Sequence, residues 1–190
     1  MWFLIIIGIV IVIAFLVRSN TSTSSPINDR QNKEPVDYSK LTALLAAGKW
    51  EEADNETARV MCKAVGRASN SILGKANITR FPCQELHIID ELWLEHSDGH
   101  FGFSIQLEVW QRVKETNQSH RNKLYMLADI IGWIRVSNDL ATWLKWSELT
   151  YNVHTAPPGH LPSGKFRVEQ GAGAWTGWEE FLDRILICKM

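Results

Sequence analysis

The sequence has few cysteines, no surplus of charge of either sign, no internal repeat and no nucleophile elbow, and each absence excludes a class of protein. Cys62, Cys83 and Cys188 are odd in number and widely separated, which fits neither a disulfide framework nor a zinc-ligand pair. The expectation is buried or inert thiols in a reducing compartment. With 20 basic side chains against 21 acidic ones there is no global field to draw the chain to nucleic acid. Two short helical patterns from Asp37 to Arg67 look like the start of a tetratricopeptide array, but no second unit of about 34 residues follows, so a solenoid is excluded. No Gly-x-Ser-x-Gly occurs, and His87, His154 and His160 stand at no telling distance from a nucleophile. Gly74-Lys75 is not a phosphate loop, because Ala76 stands where a magnesium-binding hydroxyl is required. His96, Asp98 and His100 would share a face only on an unbroken helix, and Gly99 breaks it. Glu85, Asp90, Glu91 and Glu95 fall mostly on the wet side of an amphipathic helix. The reading is a binding or regulatory protein, not an enzyme, with no metal site.

What is present begins with the one long apolar run. Met1 to Val17, MWFLIIIGIVIVIAFLV, carries no charged side chain; as a helix it would be about 25 Å long at about 1.5 Å per residue, barely enough for a bilayer core of about 30 Å. No basic residue precedes it, unlike a secretory signal, so residues 1–18 read as an uncleaved transmembrane anchor, with cleavage among the small residues Ser19 to Ser25 as the alternative. Arg18, Arg30 and Lys33 follow the run, and the positive-inside rule puts the remainder on the cytoplasmic face of the membrane. Residues 19–36 are polar, contain two prolines and have almost nothing to bury, as a flexible linker does.

Beyond the linker, apolar residues recur at helical steps. Leu41, Leu44 and Leu45 mark one helix, and Ala53, Thr57, Val60, Met61 and Ala64 a second, from about Glu51 to Arg67. Ala68 to Arg80 lacks a period and reads as a loop carrying Ile72, Leu73 and Ile78. Pro82 suits the opening turn of a helix with Leu86, Ile89, Leu92 and Trp93 as its stripe. Further helices are expected over Ser104 to Val113, around Leu124 to Ile131, and at the C-terminus through Trp175, Trp178, Phe181, Leu182, Ile185 and Leu186. Leu149 to Val153 alternates weakly, as a short extended piece would. Ala156 to Pro162 has three prolines and a glycine and can be neither helix nor central strand. The fold class expected is all-α, with a domain over residues 37–165 and a C-terminal amphipathic helix over 166–190 packing on it.

Eight of the nine tryptophans lie beyond the anchor. Trp133, Trp143, Trp146, Ile72, Leu73 and Ile78 can wall an apolar site, and Lys145, Lys165 and Arg167 can supply a cationic rim. Phe101 and Phe103, on either side of Gly102, are expected to pin a tight interhelical turn to the core rather than touch a ligand.

Four blocks in order, FPCQELHIIDELW (Phe81 to Trp93), HSDGHFGFSIQ (His96 to Gln106), IGW (Ile131 to Trp133) and APPGHLP (Ala156 to Pro162), resemble the genomes-uncoupled-four (GUN-four) domain family. The match covers about Asp37 to Pro162, and its signature residues here are Phe81, Pro82, Asp90, Trp93, Phe101, Gly102, Phe103, Gln106, Gly132, Gly159, His160, Leu161 and Pro162. The resemblance implies an all-helical domain shaped like a cupped hand that holds protoporphyrin IX or its magnesium form. It also implies a role in regulating magnesium chelatase in chlorophyll synthesis, with the chelatase large subunit as partner and the stromal face as a possible address. Carried over, Ile78 matches an apolar finger position, Ile72 and Leu73 lie near another, and Trp146 matches an aromatic finger. The basic residues after GHLP, Lys165 and Arg167, are shifted from where the family places arginines. A second reading keeps the fold but uses the groove for a partner helix or peptide, as a membrane-tethered interaction module.

Overall fold

The computed structural model describes residues 35–138, 140–164 and 178–190, so the anchor, most of the linker, Lys165, Arg167 and Trp175 lie outside the described residues. Among the described residues no helix is long and apolar enough to cross a membrane.

The chain is mostly helical. Helix α1 (Ser39–Ala46) buries Leu41 and Leu45, and α2 (Trp50–Ala64) follows with acidic Glu51 and Glu52 in its first turn and Lys63 in its last, as the helix dipole favours. Residues 68–80 contain a one-turn helix, α3 (Lys75–Thr79), where a loop was expected; Ile78 points into the core and supplies the tertiary contact that a helix this short requires. Pro82 stands immediately before α4 (Cys83–His96), and Gly102 immediately before α5 (Phe103–Lys114). Ser119 caps α6 (His120–Ile130) by accepting from the Asn122 amide at 3.3 Å. The last helix, α7 (Trp178–Ile187), buries Trp178, Phe181, Leu182 and Ile185 and packs on α3 and α5.

Between α6 and the GHLP block the chain forms a β-hairpin, which the all-α expectation omitted. Strands β1 (Ile134–Ser137) and β2 (Leu140–Trp143) pair antiparallel with Ser137 opposite Leu140, leaving a two-residue loop that begins at Asn138. Asn138 has φ 49°, the left-handed conformation that such loops need and asparagine tolerates. The extended piece expected at Leu149 to Val153 is instead irregular, because its donors turn elsewhere: the Thr150 amide goes to His160 and the Tyr151 hydroxyl to the Trp146 carbonyl.

The expectation of three inert thiols is also corrected. Cys83 and Cys188 form a disulfide across 105 residues of sequence, and only Cys62 is free, buried with its Sγ 3.0 Å from the Ser71 carbonyl. A pairing between the first residue of α4 and the end of α7 requires those elements to be neighbours, which spacing alone does not reveal. Asp90, assigned to the wet side of its helix, is buried: its carboxylate accepts from the Ser104 amide at 2.9 Å and so receives a free N–H at the start of α5.

Two aromatic clusters organise the core. Trp93, Trp50 and Phe101 form a triangle of rings, Trp93 being 6.1 and 6.2 Å from the other two and those 5.5 Å apart, and Trp93 Nε1 donates to Thr57 at 3.0 Å. Phe103 meets Phe181 at 4.9 Å, and Trp133 meets Trp178 at 4.8 Å, both edge to face. Phe101 and Phe103 are fully buried on opposite sides of Gly102, whose φ of 152° and closeness to Asp90, 2.8 Å from where a Cβ would stand, leave room only for glycine. Trp93→Ala should therefore destabilise the domain by about 3–5 kcal/mol through the cavity it leaves, measured by chemical denaturation; a loss below about 1 kcal/mol would mean that the core refills.

Candidate functional site

The four sequence blocks meet at one buried junction. The strap Ala156 to Pro162 has no regular structure and its prolines have no N–H, so apart from the Pro157 carbonyl, which accepts from the His160 amide at 3.1 Å, its carbonyls look to donors on other elements. Gln106, on α5, donates from Nε2 to the carbonyls of Gly159 and Pro162, each at 2.9 Å. Trp133 donates from Nε1 to the His160 carbonyl at 2.8 Å, the Gly102 amide to Leu161 at 3.0 Å, and His100 Nε2 to Ala156 at 2.8 Å. Past the strap, Asp54 on α2 accepts from the Ser163 amide at 2.7 Å and the Ser163 hydroxyl at 2.5 Å.

His160 is the pivot. Its Nε2 accepts from the Thr150 amide at 3.1 Å, so the ring proton resides on Nδ1 and is donated to the Ile131 carbonyl at 2.6 Å. Burial pushes this imidazole below its ordinary pKa, against the opposing influence of the Ile131 bond and the Asp54 charge. Gly132 has φ 75°, and a Cβ there would stand 2.9 Å from Pro157 and 3.1 Å from His160. The block IGW thus needs its glycine to let the strap approach.

The junction fixes both ends of the segment that carries the candidate wall. In the hairpin, Ile134 opposite Trp143 and Val136 opposite Ala141 share one face, while Arg135 opposite Thr142 and Ser137 opposite Leu140 share the other. The first face is apolar and runs outward from the core: Ile134 is buried, Trp143 lies against Tyr125 of α6 at 5.5 Å, and Val136 is 56 % exposed. After β2 the chain turns through a single 3-10 turn, Trp146–Glu148. Glu148 holds this turn by accepting from the Lys145 amide at 2.8 Å and facing Arg135 of β1 at 3.5 Å; the amide bond leads in holding its carboxyl below the usual range. Tyr151 donates to the Trp146 carbonyl at 3.0 Å, and burial raises its phenol far above the ordinary value, so the donor is retained.

The residues named for a ligand wall are therefore not all at one surface. Trp143 and Trp146 are partly buried and, with exposed Lys145, lie on one continuous segment. Trp133 is 1 % exposed, Leu73 3 % and Ile78 2 %, each packed in the core, whereas Ile72 is 46 % exposed on the connection before α3. Tyr125, Val136 and Ala141 were not singled out from the sequence. The alternation Ile134, Val136 and then Ala141, Trp143 about Asn138 was the signal that could have found them. Among the described residues no three His, Cys, Asp or Glu side chains gather as metal ligands. The acidic and imidazole groups of the junction bond backbone atoms and, for Asp54, the Ser163 hydroxyl as well, so the arrangement is that of a helical scaffold presenting an apolar wall.

That class has a family. The GUN4-like family model matches residues 31–176, and the chain belongs to this family. It is 31 % identical over 135 residues to a Ycf53-like protein of Synechocystis, covering 70 % of this chain and 53 % of that one. Over 68 residues it is 34 % identical to a protein of Arabidopsis thaliana named tetrapyrrole-binding protein, chloroplastic, covering 35 % of this chain and 26 % of that one. The chain spans about half the length of the first of these and about a quarter of the second. In fold it resembles the ligand-free structure of Arabidopsis thaliana GUN4, with TM-score 0.58 and 21 % identity over 78 % of this chain and 90 % of the other. The structure of GUN4 from Chlamydomonas reinhardtii matches with TM-score 0.59 and 24 % identity over 81 % and 88 %.

His160 gives the junction a pH dependence whose sign follows from burial. Because the folded pKa lies below the unfolded value of about 6.5, the unfolded chain takes up the proton first. Stability is complete above about pH 6.5 and declines as pH falls toward the lower folded value. Thermal melts from about pH 8 to about pH 5 should show the decline, and the His160 ring resonance should titrate below about 6.5; a midpoint above that value would contradict a neutral imidazole locked between Thr150 and Ile131.

Proposed function

We propose that this chain is a tetrapyrrole-binding regulatory protein, without catalysis of its own, that holds protoporphyrin IX or Mg-protoporphyrin IX and stimulates or regulates magnesium chelatase or senses porphyrin. The observation that carries the reading is the apolar face of the hairpin, which runs from buried Ile134 past Trp143 to exposed Val136 beside the Trp146 turn. A porphyrin has a broad apolar face, and a sheet wall edged by aromatic rings suits it. Lys145 at the hairpin exit, with Lys165 and Arg167 further along the chain, supplies cations for the propionates. The Arabidopsis relative's name supports the ligand class. Membrane anchoring through residues 1–18, with the domain on the cytoplasmic or stromal face and the chelatase large subunit as partner, belongs to the same proposal.

The burial of Leu73, Ile78 and Trp133 favours a second reading, in which the same exposed face takes a partner helix or peptide. The two readings part on one residue. If Trp146 covers a macrocycle, Trp146→Ala should weaken porphyrin binding by about 1–3 kcal/mol, roughly ten- to a hundred-fold, with an unchanged melting temperature. Lys165→Ala with Arg167→Ala should weaken the dicarboxylate more than an esterified porphyrin. Titrations followed by tryptophan quenching measure both. Unchanged affinity in Trp146→Ala removes that residue from the site, and no binding by the unmodified chain favours the interaction module.

A further inference from the structure

Helix α7 is fastened at its far end by a covalent bond and along its length by contacts that converge on α3 and the start of α4. Arg184 Nε donates to the Phe81 carbonyl at 2.8 Å, Lys75 pairs with Glu180 at 2.7 Å, and His87 Nε2 donates to the Cys188 carbonyl at 2.9 Å. Cys188 is then bonded to Cys83, the first residue of α4. From this anchorage α7 lays Trp178 against Trp133 and Phe181 against Phe103. The helix therefore closes the core over the same tryptophan whose indole N–H holds the GHLP strap.

We propose that the Cys83–Cys188 disulfide is a redox latch, opened by a dithiol reductant, that loosens α7 from Trp133 and Phe103 while the remainder of the domain stays folded. Three features carry this. The bond is approached from one side: Cys188 is buried, but Cys83 is only partly buried at a helix start. It joins α7 to α4 alone, so the packing of α1, α2 and α4 on one another does not pass through it. With the bond closed, α7 is covalently tied at both ends; with it open, the chain connection is its one remaining covalent tether beside the non-covalent contacts above, and the effective concentration of the helix at its packing site falls.

The exchange is a two-electron, two-proton step. A thiolate of the reductant attacks the Cys83 sulfur, forming a mixed disulfide and releasing Cys188, which takes up a proton. The reductant's second thiol then attacks its own sulfur in the mixed disulfide and displaces Cys83, which leaves as a thiolate beside the amides at the start of α4, where negative charge is favoured, and takes up the second proton. The reductant departs as a disulfide. Cys62 does not intercept the exchange: it is buried, and burial pushes its thiol up from the ordinary value. On the cytoplasmic face proposed above, where disulfides are typically transient and sensing, the latch is reversible. On an oxidising face it would stay shut.

The test is hydrogen exchange on the full chain, oxidised and after treatment with dithiothreitol without denaturant. Amides of α7 should exchange at least about ten-fold faster once the bond is open, as expected when one of two tethers is removed. Those of α1, α2 and α4 should be unchanged, and oxidised glutathione should restore protection. Cys188→Ser should show the reduced pattern throughout; the reduced and alkylated wild-type chain gives the same reading if that variant does not fold. Unchanged α7 exchange, a rise across every helix, or a bond that dithiothreitol opens only in denaturant would each overturn the latch.

Discussion

A strap with three prolines and a glycine meets one of its carbonyls from within, Pro157 from the His160 amide, and leaves most of the others to outside donors; the rest of the structure follows from how that demand is met. Leaving even one such group without a donor costs about 1–3 kcal/mol. The donors come from His100, the Gly102 amide and Gln106, all within the block His96 to Gln106, and from Trp133 of the IGW block. This is the physical reason that the blocks FPCQELHIIDELW, HSDGHFGFSIQ, IGW and APPGHLP occur together. Asp90 holds the turn that presents Gly102, Gly102 and Gln106 hold the strap, Gly132 gives the strap room, and the strap's His160 holds Ile131 and Thr150.

The junction separates two apolar regions with different duties. On one side the strap and Trp133 close a core sealed by α7, where side chains meet ring to ring and no surface is offered. On the other, the hairpin leaves the junction with its apolar face turned progressively to solvent. The buried titratable groups of the junction, Asp54, Asp90 and His160, each contact backbone atoms and so position chain segments. Such a scaffold fits recognition of a large, flat, apolar partner.

Much of this was legible in the sequence, and the parts that were not share a cause. The helices carrying Leu41 and Leu45, Leu86 and Trp93, or Phe181 and Ile185 announce themselves by local period, and Phe101, Gly102 and Phe103 by their composition. The hairpin was hidden because its strands are four residues each, too short for alternation to stand out against the neighbouring helices. The burial of Asp90 and the pairing of Cys83 with Cys188 depend on partners far along the chain, which periodicity does not encode. Leu73, Ile78 and Trp133, expected in a ligand wall, lie buried; Trp133 packs on Trp178 of α7 and bonds the strap, and α7 packs on the helix that carries Ile78, contacts not visible from their own neighbourhoods.

The central claim is that the apolar face of the hairpin receives the tetrapyrrole. A macrocycle shifts nearby methyl resonances through its ring current, so the most direct measurement is methyl NMR of the chain titrated with protoporphyrin IX. The account predicts large upfield shifts for the methyls of Val136 and Ala141, with those of Leu86 and Ile89 in the core unmoved. Shifts confined to other surfaces, or none at the hairpin at saturating ligand, would contradict it.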